Sequence, residues 1–158
     1  MDEVDRIFRC VDGLRGSEAT VIGCLYTGPD LPPHCAPMPR MPEPMSGMIF
    51  DDGFPSVLER AIERNPAVHD GAIMIGRPTG SLPYRVAGWS YRLFPPRGRS
   101  EAEPNRGSAF NSCLAMSSVG VIDRVYLISN VGVFRFEKGE VKRFETAVAD
   151  QRLPAIRV

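Results

Sequence analysis

Residues 28–48, GPDLPPHCAPMPRMPEPMSGM, constrain this chain more than any other stretch. Seven prolines stand in it: Pro29, Pro32, Pro33, Pro37, Pro39, Pro42 and Pro44. Each fixes φ and removes a backbone donor, so neither a helix interior nor a central strand can run through the segment. A semi-rigid, extended connector is what such a composition makes. Met38, Met41, Met45 and Met48 accompany the prolines. Two readings fit: a surface loop laid over the domain, which is the common use of such segments, and a strap or lid that docks on a protein partner.

Regular elements are predicted on both sides of the connector. Val4, Ile7, Phe8, Val11 and Leu14 recur at helical spacing, which predicts an amphipathic helix over 2–15. The run ATVIGCLYT (19–27) is apolar throughout and of strand length, as in a strand covered on both faces. After the connector, Asp51-Asp52-Gly53-Phe54-Pro55 resembles a helix start. Val57, Leu58, Ala61 and Ile62 supply that helix's apolar stripe, and Asn65-Pro66 stops it. A strand over 71–76 and a return strand over 83–93 form a hairpin around a turn at 77–81. A polar loop (94–107), a short helix (108–119), a buried strand (123–129) and an exposed hairpin (132–144) complete the order. Alternating helices and strands of this kind predict one α/β (mixed α+β) domain: a mixed central sheet flanked by helices. Residues 1–148 form that domain, with the proline-rich loop inside it, and 149–158 read as a tail.

Charge and cysteine content narrow the classes of partner. Nineteen Lys+Arg balance nineteen Asp+Glu, so no overall field draws in nucleic acid or an anionic membrane. An anionic ligand would have to be held by local groups. Cys10, Cys24, Cys35 and Cys113 form no CxxC pair, and His34-Cys35 has no second half with zinc-ligand spacing. Cys10 and Cys24 are expected in the core. With no signal-peptide pattern and no apolar run near the ~20 residues of a membrane span, a reduced, cytoplasmic setting is the expectation.

Two stretches carry chemistry. In ERNPAVHDGAIMIG (63–76), His69, Asp70 and Gly71 sit between a helix stop and a buried strand. A carboxylate there can hold a divalent metal or accept a proton, and the glycine lets a ligand approach the backbone. The same residue types also build ordinary helix-to-strand turns. In NRGSAFN (105–111), Gly107 and Ser108 open a helix after a loop bearing Arg97, Arg99 and Arg106. Free N–H groups at a helix start attract phosphate, and arginines add charge-assisted hydrogen bonds. Ser108 as a plain N-cap is the simpler account. The pattern lacks the Gly-Lys-Ser/Thr ending of a Walker loop, and no GxSxG surrounds a serine.

Taken together, these stretches resemble the diadenylate cyclase (DAC) domain, the family that condenses two ATP into cyclic di-AMP. The family's N-T-P-L-H-D-G-A followed by an apolar strand is matched by Asn65-Pro66-Ala67-Val68-His69-Asp70-Gly71-Ala72, with the proline moved by one. Leu93-Phe94-Pro95, Gly107-Ser108-Ala109-Phe110-Asn111, Leu127-Ile128-Ser129 and the hairpin from Gly132 keep the family's order over about residues 17–145. The resemblance implies a nucleotide site. Asp70 would hold the catalytic metal, Mg²⁺ or Mn²⁺. Gly71, Ala72, Leu93, Arg106, Gly107, Ser108 and Asn111 would surround ATP or a cyclic dinucleotide.

The chain departs from the family where the chemistry is most demanding. The family's R-H-R triplet, which handles phosphate and metal, is Ala109-Phe110-Asn111 here. An acidic pair common after the serine is Asn130-Val131. Phosphoryl transfer relies on stabilising developing negative charge, and one lost arginine contact of that kind costs about 10³-fold or more. The expectation is a catalytically degenerate DAC-like domain that acts as a nucleotide sensor or binding module. The alternatives are an active diadenylate cyclase or related nucleotidyltransferase using a divalent metal, and an interaction domain with an empty site. A degenerate domain need not keep the family's face-to-face pairing of two clefts. A monomer, or a dimer through the proline-rich strap, is expected.

Overall fold

The computed structural model describes residues 1–14, 20–96 and 106–145. Arg97, Arg99 and the 149–158 tail lie outside the described residues.

A helix α1 (Glu3–Leu14) leads into strand β1 (Val21–Thr27). A short β2 (Cys35–Pro37) follows inside the proline-rich segment. Helix α2 (Phe54–Arg64) passes into a one-turn 3-10 helix, Pro66–His69, and then into β3 (Ala72–Arg77) and β4 (Arg85–Leu93). Helix α3 (Gly107–Met116) precedes β5 (Ile122–Ser129), β6 (Gly132–Glu137) and β7 (Glu140–Phe144). The seven strands form one sheet in the order β2-β4-β3-β1-β5-β6-β7. Only β1 and β3 run parallel; the other pairs are antiparallel. The domain is thus a mixed α/β fold with a central sheet flanked by helices, as the element order predicts.

Each central strand divides its side chains between two cores. Val21 and Leu25 of β1, Ile73 and Ile75 of β3, and Tyr126 and Ile128 of β5 face the layer made by α1 and α2. Cys24, Met74, Val125 and Leu127 face α3 through Phe110, Cys113 and Leu114. The α1 side is built on aromatic rings. Phe8 stacks on Tyr126 with centroids 4.2 Å apart and packs against Phe50 and Phe54. Gly23 makes room for it, since a Cβ there would lie 2.3 Å from Phe8 Cζ. Under this layer Asp5 is 1% exposed. It accepts from Tyr126 Oη at 2.7 Å and from Arg135 Nη1 at 3.1 and 2.8 Å. Burial and the hydrogen bond to Asp5 push the Tyr126 hydroxyl's pKa up.

Three expectations are corrected. The proline-rich segment does contribute a strand, but an edge one of three residues, where proline's missing donor faces outward. The hairpin 132–144 is exposed only on its outer strand: Val133, Phe134 and Phe136 of β6 are buried, and β7 is the charged edge. Cys10 is exposed, because the buried stripe of α1 runs through Ile7, Phe8 and Val11 and leaves position 10 off it.

Candidate functional site

The junction before β3 is built by short-range turn chemistry. Asn65 ends α2 and starts the 3-10 turn, its side chain accepting from Ala67 N at 3.1 Å. Asp70 N donates to the Ala67 carbonyl at 3.0 Å, and Gly71 then takes φ +92° to swing the chain into the sheet. Such a φ disfavours any residue with a Cβ. Packing adds a second demand: a Cβ at Gly71 would meet Met38 Cε at 2.6 Å and the Tyr91 carbonyl oxygen at 2.9 Å. The room a glycine leaves at this position is taken by the protein's own strap and by β4.

Asp70 points outward from this turn, its side chain 69% exposed. Arg40, the one Lys or Arg in the proline-rich segment, donates from Nη2 to Asp70 Oδ2 at 2.6 Å, and its own side chain is 23% exposed. Arg40 Nε also reaches Ser90 Oγ at 3.4 Å. Ser90 sits in β4 at φ 58° and donates to the Val68 carbonyl at 3.0 Å. The strap is tied down on both sides of Arg40. Met38 N donates to the Ser90 carbonyl at 2.8 Å, Asn65 Nδ2 to the Pro42 carbonyl at 3.2 Å, and Trp89 Nε1 to the Met45 carbonyl at 2.9 Å.

A cavity of about 320 Å³ opens beside Asp70. Asp70, Gly71 and Ala72 form one wall, and Tyr91, Arg92 and Leu93 of β4 another. Ser108, Ala109 and Ser112 of α3 close it, with Ile22 and Met38 completing the lining. Burial pushes the pKa of the Tyr91 hydroxyl up. Cavities of about 450 Å³ under Met45 and Trp89, and of about 500 Å³ around Asp123, are larger but hold none of the sequence-predicted site residues.

The structure therefore brings Asp70, Gly71, Ala72, Leu93 and Ser108 to one cavity, from three separate stretches of the chain. It does not bring Arg106, Gly107 or Asn111 to that lining. Arg106 precedes α3 and lies over the Phe110 ring, 5.1 Å from its centroid. Gly107 takes φ +79° at the start of the helix. Of the triplet at 109–111, Ala109 lines the cavity, Phe110 is 4% exposed against Phe134 and Phe136, and Asn111 is half-buried elsewhere on the helix. Ser108 is not an N-cap: Arg106 holds that position, without a side-chain capping bond.

Sequence reasoning missed Arg40, Arg92 and Ser112. Two signals were available: a lone cation among seven prolines, and Ser108 and Ser112 at i, i+4. For a divalent metal the donor set is thin. Among the described residues no three His, Cys, Asp or Glu side chains gather in one place, and Asp70's carboxylate already faces a guanidinium. A divalent ion held by protein alone takes several oxygen ligands, and among the described lining residues Asp70 is the one carboxylate.

Comparison with known proteins bears on the fold. No family model matches the chain, and no curated protein does. Among solved structures, a hypothetical membrane spanning protein from Bacillus cereus superposes with a TM-score of 0.61 at 11% identity. The match covers 90% of this chain and 62% of that one, so this chain spans less than two thirds of that structure. A double mutant of DacA from Staphylococcus aureus aligns with a TM-score of 0.49 at 13% identity, over 91% of this chain and 85% of that one. In the described part of this chain no helix is long and apolar enough to cross a membrane. At such identities the first likeness establishes a shared fold.

Proposed function

We propose that the chain is a diadenylate-cyclase-like nucleotide-binding domain that binds its ligand without turning it over, as a sensor or binding module. One observation carries the reading. The two stretches that resemble the family, 65–76 and 107–111, meet at a single cavity at the mouth of β3. A cavity of about 320 Å³ lies at the small end of ligand pockets, enough for part of a nucleotide. Ser108 and Ser112 offer hydroxyl donors to phosphate oxygens, while Tyr91 and Leu93 offer apolar surface to a base.

Loss of turnover follows from the lining. The position that faces the cavity in the altered triplet is Ala109, a methyl group, and Phe110 belongs to the core. Charge stabilisation counts most in the transition state, so this lining weakens catalysis more than ground-state binding.

Calorimetry with ATP and with cyclic di-AMP, followed by product analysis after incubation with Mn²⁺, tests the proposal. Binding of either ligand at micromolar to millimolar concentration with no cyclic product is the expected result. Robust cyclic di-AMP synthesis would overturn it in favour of an active cyclase, and absence of binding at millimolar ligand would leave an interaction domain.

A further inference from the structure

We infer that Arg40 stands where a divalent cation would otherwise neutralise Asp70, so that the cavity takes a polyphosphate anion directly, without metal. The inference rests on reading the cavity as a nucleotide-type site, and adds how the anion is held.

Three observations converge on it. The first is contact: Arg40 Nη2 lies 2.6 Å from Asp70 Oδ2. A metal on that carboxylate would face a guanidinium at close range, and no second carboxylate among the described residues lines the cavity to share it. The second is anchoring. Arg40 hangs from a strap pinned by Met38 N to Ser90 on one side and by Pro42 to Asn65 on the other. The Arg40 side chain is mostly buried while that of Asp70 is mostly exposed. The pair is thus a fixed cation beside an open carboxylate, not two mobile surface chains. The third is charge balance. Asp70, the one carboxylate among the described lining residues, is paired with Arg40, which is itself outside that lining, and Arg92 stands in the lining. The set is positive by one unit before any ion binds. A guanidinium carries five donors, and Asp70 and Ser90 each take one of Arg40's, so donors remain for a phosphate oxygen.

A metal-dependent site and this one predict opposite signs for the same substitutions. If a metal on Asp70 held the phosphates, Asp70→Asn would weaken binding, chelator would abolish it, and Arg40→Gln would release the carboxylate and tighten it. If Arg40 holds the anion, Arg40→Gln weakens binding about tenfold, the loss of one charge-assisted contact. Arg40→Lys retains part of it, and Asp70→Asn tightens binding about threefold by removing a like charge.

The experiment is calorimetry of inorganic triphosphate and of ATP against the folded wild-type chain, Arg40→Gln, Arg40→Lys and Asp70→Asn. Each is run in EDTA and in Mn²⁺, with circular dichroism confirming that each variant is folded. Triphosphate binding that is unchanged by EDTA and weakened by Arg40→Gln is the expected outcome. Binding that needs Mn²⁺ and is lost in Asp70→Asn overturns the inference and leaves the nucleotide reading standing. Metal-free triphosphate binding with no gain for ATP supports the inference and sinks the nucleotide reading. No binding by any variant in either medium overturns both.

Discussion

Asp5 and Asp70 are both aspartates held by an arginine from a distant part of the chain, and they do opposite jobs. Asp5 is 1% exposed and takes two contacts from Arg135 and one from Tyr126. Asp70 takes one contact from Arg40 and leaves most of its carboxylate in the open. A buried carboxylate must have its oxygens satisfied from within, because water cannot reach them. An open one need not, and what it still lacks can come from a ligand. Burial, rather than the kind of partner, separates a structural ion pair from a candidate site.

The comparison predicts its largest effect at the buried end. Arg135→Ala would leave the buried Asp5 of α1 with the Tyr126 hydroxyl at 2.7 Å and a long contact from Asp2 N at 3.4 Å. Breaking a buried pair from one side costs about 3–5 kcal/mol. Urea denaturation should show that loss, and Asp5→Ala with Arg135→Met should recover much of it, since removing both charges removes the orphan.

Gly71→Ala is next, and it acts on the backbone rather than on charge. Holding a non-glycine residue in a sparsely populated φ region costs about 1–3 kcal/mol, and here the Cβ also meets Met38 and the β4 backbone. The expected result is a lower urea midpoint together with disturbed ligand binding, since the same glycine sets Asp70's position. An unchanged midpoint would show that the strap moves aside easily, and would blunt the contrast between a fixed Arg40 and an open Asp70.

How much of this was legible in the sequence depends on the range of the signal. The stripe Ile7, Phe8, Val11 wrote α1 plainly, and the apolar runs wrote β1, β3 and β5, because helix and strand periods are local. The same stripe, followed strictly, would have put Cys10 outside. Burial of β6 was not legible, since it depends on α3 covering one face of the hairpin. At the site, Asp70 and Gly71 were readable from turn chemistry. Arg40 was not: thirty residues separate it from Asp70, and prolines erase the periodicity from which a register could be read. Within α3, Ser108, Ala109 and Ser112 fall within an arc of about 100° at ~100° per residue, and Asn111 falls outside it. Helical geometry therefore excluded Asn111 and offered Ser112, once the cavity side was known.

A third carboxylate falls between the two extremes. Among the described residues no arginine pairs with Asp123; Thr27 and Tyr84 each donate to its Oδ2 at 2.6 Å. Burial first, and the hydrogen bond to Asp123 second, push the Tyr84 hydroxyl up to about 12. Its unfolded value is about 10. A group with a raised folded pKa contributes stability that is whole below the unfolded value and is lost as pH climbs through the folded one. The wild-type chain should therefore lose this contribution between about pH 10 and 12. Tyr84→Phe should cost about 1–2 kcal/mol near neutral pH and flatten the alkaline decline. Some decline will remain, because burial also raises Tyr26, Tyr91 and Tyr126. Denaturation at pH 8 and pH 11 measures both effects; a parallel shift at the two pH values would count against the Tyr84–Asp123 bond as its source.

The smallest effect belongs to the pair at the site. Exposed ion pairs contribute about 0.2–1 kcal/mol, are screened by salt, and Asp70 is 69% exposed. A double-mutant cycle of Asp70→Asn and Arg40→Gln should give a coupling energy below about 1 kcal/mol, shrinking further at high salt. The same two single variants are expected to move ligand binding in opposite directions. Small coupling in folding with large, opposed effects in binding would mark the pair as built for a ligand. A coupling near the 3–5 kcal/mol scale of Asp5 and Arg135 would instead make Arg40 a structural clamp for the strap. The openness of Asp70 would then be a surface accident, because a pair that the fold depends on cannot surrender its contacts to a ligand without the strap coming loose.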